Sequence, residues 1–177
     1  PGVKFIGKEG FALCESLKEI VLPETLGKIW EGAFSGCKAL ELINIPSHLA
    51  VINKSAFRNS GLKSLNIDAN CWIFERAFAY CKHLETVYLN KNVMIMDCMV
   101  FAACTSLKKI EFEDPFITCI ASDEAVATML VGCTALEKII VPKNKDGQYP
   151  DFNIQDYESE QFDTRDFNSL ITPKESE

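Results

Sequence analysis

Apolar residues recur along this chain in one repeated phrase. An aromatic or leucine is followed three positions later by a small residue, then by a leucine, then by two aliphatic residues with one position between them. Aligned on the small residue, the copies are Phe11/Cys14/Leu17, Phe34/Cys37/Leu40, Phe57/Ser60/Leu62, Phe78/Cys81/Leu84, Phe101/Cys104/Leu107 and Leu130/Cys133/Leu136. The pairs that follow are Ile20 and Leu22, Ile43 and Ile45, Leu65 and Ile67, Val87 and Leu89, Ile110 and Phe112, and Ile139 and Val141. Alternation over so few residues predicts a very short strand with one face buried. Proline ends that strand at Pro23, Pro46 and Pro142, where no further ladder donor is needed.

An isoleucine opens each copy, at Ile6, Ile29, Ile52, Ile73, Ile95 and Ile120, with spacings of 23, 23, 21, 22 and 25 residues. A unit of that length cannot close its own core, so each coil must bury its apolar side chains against the coils beside it. The expected architecture is an α/β repeat solenoid with the period of a leucine-rich repeat. Its short strands pair in parallel, and short helical turns lie on the outer side. Equivalent residues then stack in columns about 4.8 Å apart. Phe11, Phe34, Phe57, Phe78 and Phe101 form a phenylalanine spine, and Ala33, Ala56 and Ala77 leave room for a tight helical turn.

The stretch Ile29 to Pro46, with its I-x-x-x-A-F-x-x-C-x-x-L-x-x-I-x-I-P pattern, resembles the BspA-like leucine-rich repeats of bacterial and some protozoan surface proteins. The resemblance runs from Val3 to Pro142. It implies extracellular or cell-surface display and binding of host or bacterial partners.

Two segments depart from the repeat. Within 120–131, IASDEAVATMLV, Ser122 can cap a helix whose first turn holds Asp123 and Glu124, so a helical insertion is expected near 122–131. The chain therefore divides into a solenoid over 1–142 and an acidic, aromatic capping tail over 143–177. Tyr149, Phe152, Tyr157, Phe162, Phe167 and Leu170 make that tail too apolar for a solvated charge run. An open solenoid end needs such a cover. At the other end, PGVKFI aligns on PETLGKI in the middle of a coil, so a repeat domain within a longer chain is expected.

Cysteine is the first candidate for chemistry, since the chain has eight. Cys14, Cys37, Cys81, Cys104 and Cys133 fall in one column where Ser60 holds the remaining place, which suits reduced, buried thiols. Side chains in a parallel column keep their Cβ atoms too far apart for a relaxed bridge. Cys71 aligns with core positions, whereas Cys98 and Cys119 fall in irregular stretches, and a reactive thiol, if the chain has one, is one of those two. No CxxC or Cys/His spacing suits zinc, and His48 and His83 have polar surroundings, so no metal site or cofactor is expected.

Charge narrows the partners further. The net charge of −7 disfavours nucleic acid and anionic membranes, and no apolar run approaches the ~20 residues of a membrane span. After Pro142, nine acidic residues face four basic ones, so most of the excess lies in the tail. Phosphate-loop, GxSxG and HExxH patterns are absent, which gives no catalytic residue to name.

What remains is the outward side of the strands. Val21, Asn44, Asn66, Tyr88, Glu111 and Ile140 form one expected column, and Glu19, Leu42, Ser64, Thr86, Lys109 and Lys138 another. Val21, Leu42, Asn44, Asn66, Thr86, Tyr88, Lys109 and Glu111 are the candidate ligand-binding face. Exposed aromatic and aliphatic groups on a rigid sheet make good anchors. A non-catalytic module holding a protein or glycan partner there is the expected function. The alternative is a structural spacer that presents another domain, and in either role a monomeric repeat domain is expected.

Overall fold

The computed structural model describes residues 2–114, 128–149 and 167–174. Among the described residues each of the first five coils contributes two short strands, and equivalent strands of successive coils pair in parallel. Phe5–Ile6 (β1), Lys28–Ile29 (β3), Val51–Ile52 (β5), Trp72–Ile73 (β7) and Met94–Ile95 (β9) form one sheet in the order β1-β3-β5-β7-β9. The opposite side carries Glu19–Ile20 (β2), Leu42–Ile43 (β4), Ser64–Ile67 (β6), Thr86–Leu89 (β8), Lys109–Phe112 (β10) and Lys138–Val141 (β11). There β2 pairs with β4, and a separate sheet runs β6-β8-β10-β11. The interruption between β4 and β6 falls at the coil whose Ser60-Gly61-Leu62 is one residue short. At Gly61 a Cβ would lie 2.2 Å from the Lys38 carbonyl oxygen, so only glycine fits this close approach.

The solenoid is as expected, but its outer turns are not helical. Each of the first five coils instead places two left-handed residues four positions apart, at Glu9 and Leu13, Gly32 and Gly36, Ser55 and Asn59, Arg76 and Tyr80, and Met99 and Ala103. A left-handed residue at every fourth position stops a right-handed helix from propagating and turns N–H groups toward the next coil. The amides of Phe34, Phe57 and Phe78 accordingly donate to the carbonyls of Ala56, Ala77 and Val100 at 2.7, 2.8 and 2.9 Å. A third inter-coil ladder results. The backbone strain, about 1–2 kcal/mol per non-glycine residue, is offset by main-chain bonds that a helical turn would have closed within its own coil.

Inside this triangular frame the columns pack as expected. Successive spine rings stack with centroids 5.0–5.6 Å apart, from Phe11–Phe34 to Phe78–Phe101. Ile29, Ile52 and Ile73 of the first sheet are completely buried in the same core. The apolar core is continuous across coils, which is why no coil is an independent unit. On the surface, Lys38–Glu15, Lys63–Glu41 and Lys108–Glu85 pair adjacent coils at 2.7, 2.7 and 2.9 Å.

The cysteine column has a specific hydrogen-bonding pattern. Cys37, Cys81, Cys104 and Cys133 donate their thiols to the carbonyls of Phe11, Phe57, Phe78 and Phe101, one coil earlier, at 2.9–3.2 Å. Ser60 meets Cys81 at 3.3 Å in the same column. All described cysteines are free thiols. Cys14 corrects the expectation of uniform burial: it is exposed, because no described coil precedes it. Cys71 is buried, Cys98 is half-buried, and Cys119 lies outside the described residues.

Most of the expected insertion helix near 122–131 also lies outside the described residues; Thr128 is helical and residues 129–132 form a turn. In the tail, Tyr149 packs against the core, and a later described stretch opens with a 3₁₀ turn, Phe167–Leu170, in which Phe167 is buried in the common core. Ile171–Pro173 (β12) then pairs in parallel with β11, matching Ile139 to Ile171 and Ile140 to Thr172.

Candidate functional site

Parallel register brings the expected strand-face columns together. Asn66, Tyr88, Glu111, Ile140 and Thr172 are successive partners across β6, β8, β10, β11 and β12, and Ser64, Thr86, Lys109 and Lys138 form the neighbouring column. Residues two apart on a strand share a face, so Leu65, Ile67, Val87, Leu89, Ile110 and Phe112 are directed into the core while these columns face out.

The eight candidate residues divide between the two sheets. Val21, Leu42 and Asn44 line a shallow groove of about 280 Å³ with Glu19, Ile20 and Ile43. Val21 is 84% exposed and Leu42 59%, so the groove presents aliphatic surface to solvent. Asn44 is committed elsewhere: its side-chain oxygen accepts from the Leu22 amide at 2.6 Å, and its Nδ2 donates to the Leu22 carbonyl at 2.9 Å. That clamp replaces strand pairing beyond β2 and leaves Asn44 fixed.

The other five occupy the longer sheet. Asn66 and Thr86 are exposed, and Tyr88, Lys109 and Glu111 are half-buried. Lys109 Nζ lies 3.0 Å from Glu111 Oε2. The Tyr88 hydroxyl donates to Glu113, and its ionisation is pushed up to about 12 by burial, then by that bond and the carboxylates of Glu113, Asp68 and Glu111. Glu113 is held below the ordinary carboxylate range, first by Tyr88 and then by the Lys91 amide, which donates at 3.2 Å. Burial tends to raise Glu111, but Lys109 and Lys174 outweigh it and leave that carboxyl low. The result is an aromatic hydroxyl tied to Glu113, with two carboxyls, Glu111 and Glu113, held low beside it.

A second exposed surface escaped the sequence reading. On the β1-β3-β5-β7-β9 sheet the outward row is Phe5, Lys28, Val51, Trp72 and Met94, in continuous register. Phe5 is 60% exposed and Trp72 47%, and Trp30 beside them has Lys28 Nζ 5.7 Å from its ring centre. Both tryptophans of the chain are therefore on this side. Its signal in the sequence is the residue just before each opening isoleucine.

Among the described residues, no group of three or more His, Cys, Asp and Glu side chains could hold a metal ion. His48 and His83 are exposed.

Stacked parallel coils, the phenylalanine spine and the repeat period together define a leucine-rich-repeat solenoid. More specifically, the chain belongs to the BspA-type leucine-rich repeat family, whose six-copy model matches residues 4–123. Among solved structures it is similar to the pneumococcal vaccine antigen PcpA, with 19% identity and a TM-score of 0.57, covering 97% of this chain and 38% of that one. A leucine-rich cell surface protein from Faecalibacterium prausnitzii is 17% identical with a TM-score of 0.41, covering 79% of this chain and 64% of that one. A leucine-rich repeat protein from Bacteroides ovatus is 17% identical with a TM-score of 0.33, covering 78% and 59% respectively. The chain thus spans well under half the length of PcpA. No curated protein matches significantly.

Proposed function

We propose that the chain is a non-catalytic binding module of a secreted or cell-surface protein and holds a protein or glycan partner on its strand face. The observation that carries this reading is the unbroken register of Asn66, Tyr88 and Glu111, flanked by Thr86 and Lys109 on a sheet built from four-residue strands. Side chains fixed by main-chain pairing lose little freedom on binding, which favours affinity. Val21 and Leu42 extend the same side as an aliphatic anchor, while Asn44 keeps their groove in shape. PcpA is a vaccine antigen, and its shared fold is in keeping with an extracellular setting.

In the same reading, 1–142 is the binding solenoid and the tail over 143–177 closes its far end, as the pairing of β12 and the burial of Phe167 suggest. Tyr88→Ala combined with Asn66→Ala tests the proposal. The expected result is at least tenfold weaker capture of a partner identified for the unmodified chain. Unchanged capture favours the spacer alternative, in which loss of whole coils matters and loss of these side chains does not.

A further inference from the structure

Lys174 directly follows β12, yet its side chain turns back over the sheet. Its ammonium lies 3.5 Å from Glu111 Oε1 and 6.0 Å from the centre of the Tyr88 ring. Those residues belong to β10 and β8, so the lysine reaches past Ile140 of β11 to touch two more distant strands. The Tyr88 hydroxyl bonds to Glu113, and the charges of three carboxylates, Glu113, Asp68 and Glu111, are felt there. Lys109 pairs with Glu111, and Lys91 lies near Glu113. Lys174 supplies the third cation, bringing this set of side chains to neutrality.

An aromatic face beside carboxylates suits a primary ammonium or guanidinium group, which gains from both the ring quadrupole and the ion pair. We propose that Tyr88, Glu111 and Glu113 form a subsite for a cationic side chain of a basic peptide segment, and that Lys174 is its internal occupant, displaced when the peptide binds. This proposal rests on the strand-face reading and adds the chemistry of the partner. The position occupied by the Lys174 ammonium shows where the incoming cation would sit. Because the contact is intramolecular, Lys174 competes with any incoming lysine and sets a threshold that weakly basic segments do not pass.

The test is an NMR titration of the full chain with tetralysine amide, with tetraglutamate and a neutral oligosaccharide as comparison ligands. Tetralysine is expected to give saturable shifts at Tyr88, Glu111 and Glu113, while the other two give none there. Lys174→Gln should tighten tetralysine binding about two- to fivefold, the effect of freeing one partly exposed cation contact, and Glu111→Gln should weaken it. Equal affinity in Lys174→Gln and the unmodified chain overturns the proposal. So do shifts spread evenly over Glu15, Glu41 and Glu85, or a response to the oligosaccharide alone. The strand-face reading is scored separately: if Tyr88→Ala with Asn66→Ala abolishes partner capture while tetralysine does not compete, only the cationic subsite fails.

Discussion

The thiol of Cys104 donates to the main-chain carbonyl of Phe78, one coil earlier, at 3.2 Å. That contact ties the side-chain column to the backbone of the spine, and it explains why serine can enter the column while a larger or wholly apolar residue does not occur there. Cys104→Ser preserves a donor and should cost about 1 kcal/mol. Cys104→Ala removes the donor and leaves a void, and should cost about 2 kcal/mol. Urea unfolding measures both. A serine variant less stable than the alanine variant contradicts this role for the bond.

Thiol accessibility follows from position in the stack. Native alkylation followed by mass spectrometry should label Cys14 first, then Cys98 slowly, and leave Cys37, Cys71, Cys81, Cys104 and Cys133 unmodified. Cys71 is protected twice, by burial and by the lifting of its ionisation to about 12. The Cys104 thiol is likewise raised well above its ordinary range, by the neighbouring Cys81 sulfur first and by burial second. Labelling of three or more buried thiols at the rate of Cys14 would contradict the packed column.

Acid should loosen the ties between coils. Lys38 and Lys63 hold Glu15 and Glu41 below their ordinary value of 4.5. Depressed carboxyls contribute stability above their unfolded value, and the contribution is lost as pH falls through the folded one. Lys54 and Lys108, raised above 10.5 by Glu75 and Glu85, contribute below that value and lose their contribution as pH rises through the folded one. Thermal unfolding across pH should therefore show a plateau between these limits. Because Glu15 and Glu41 are exposed the effect is small, but Glu15→Gln with Glu41→Gln should flatten the acid limb. An acid limb of unchanged slope would show that these pairs add nothing.

The copies' aliphatic pairs revealed the stack, the register and the outward columns, because spacing in a solenoid maps directly onto neighbours in space. The pairing of β12 with β11 puts Glu111 two strands and Tyr88 three strands from Thr172, a placement the repeat alone does not give. Three features were not legible. The left-handed residues at Leu13, Tyr80 and Met99 carry no turn-forming side chain, so nothing in their identity announces a positive φ. Asn44 reads as another outward polar residue, although its amide happens to match both main-chain groups of Leu22. Lys174 lies outside the repeat, and only the added strand brings it over Tyr88.

The most direct test of the strand-face account is photo-crosslinking from single positions on the two opposed sheets. A photoreactive residue at Asn66, next to Tyr88 in the register, is compared with one at Trp72 on the other side. Each variant is presented to one purified partner that the unmodified chain captures. Adducts formed from Asn66 and absent from Trp72 are predicted. Adducts from Trp72 with none from Asn66 would move the binding surface to the tryptophan-bearing sheet and contradict the account.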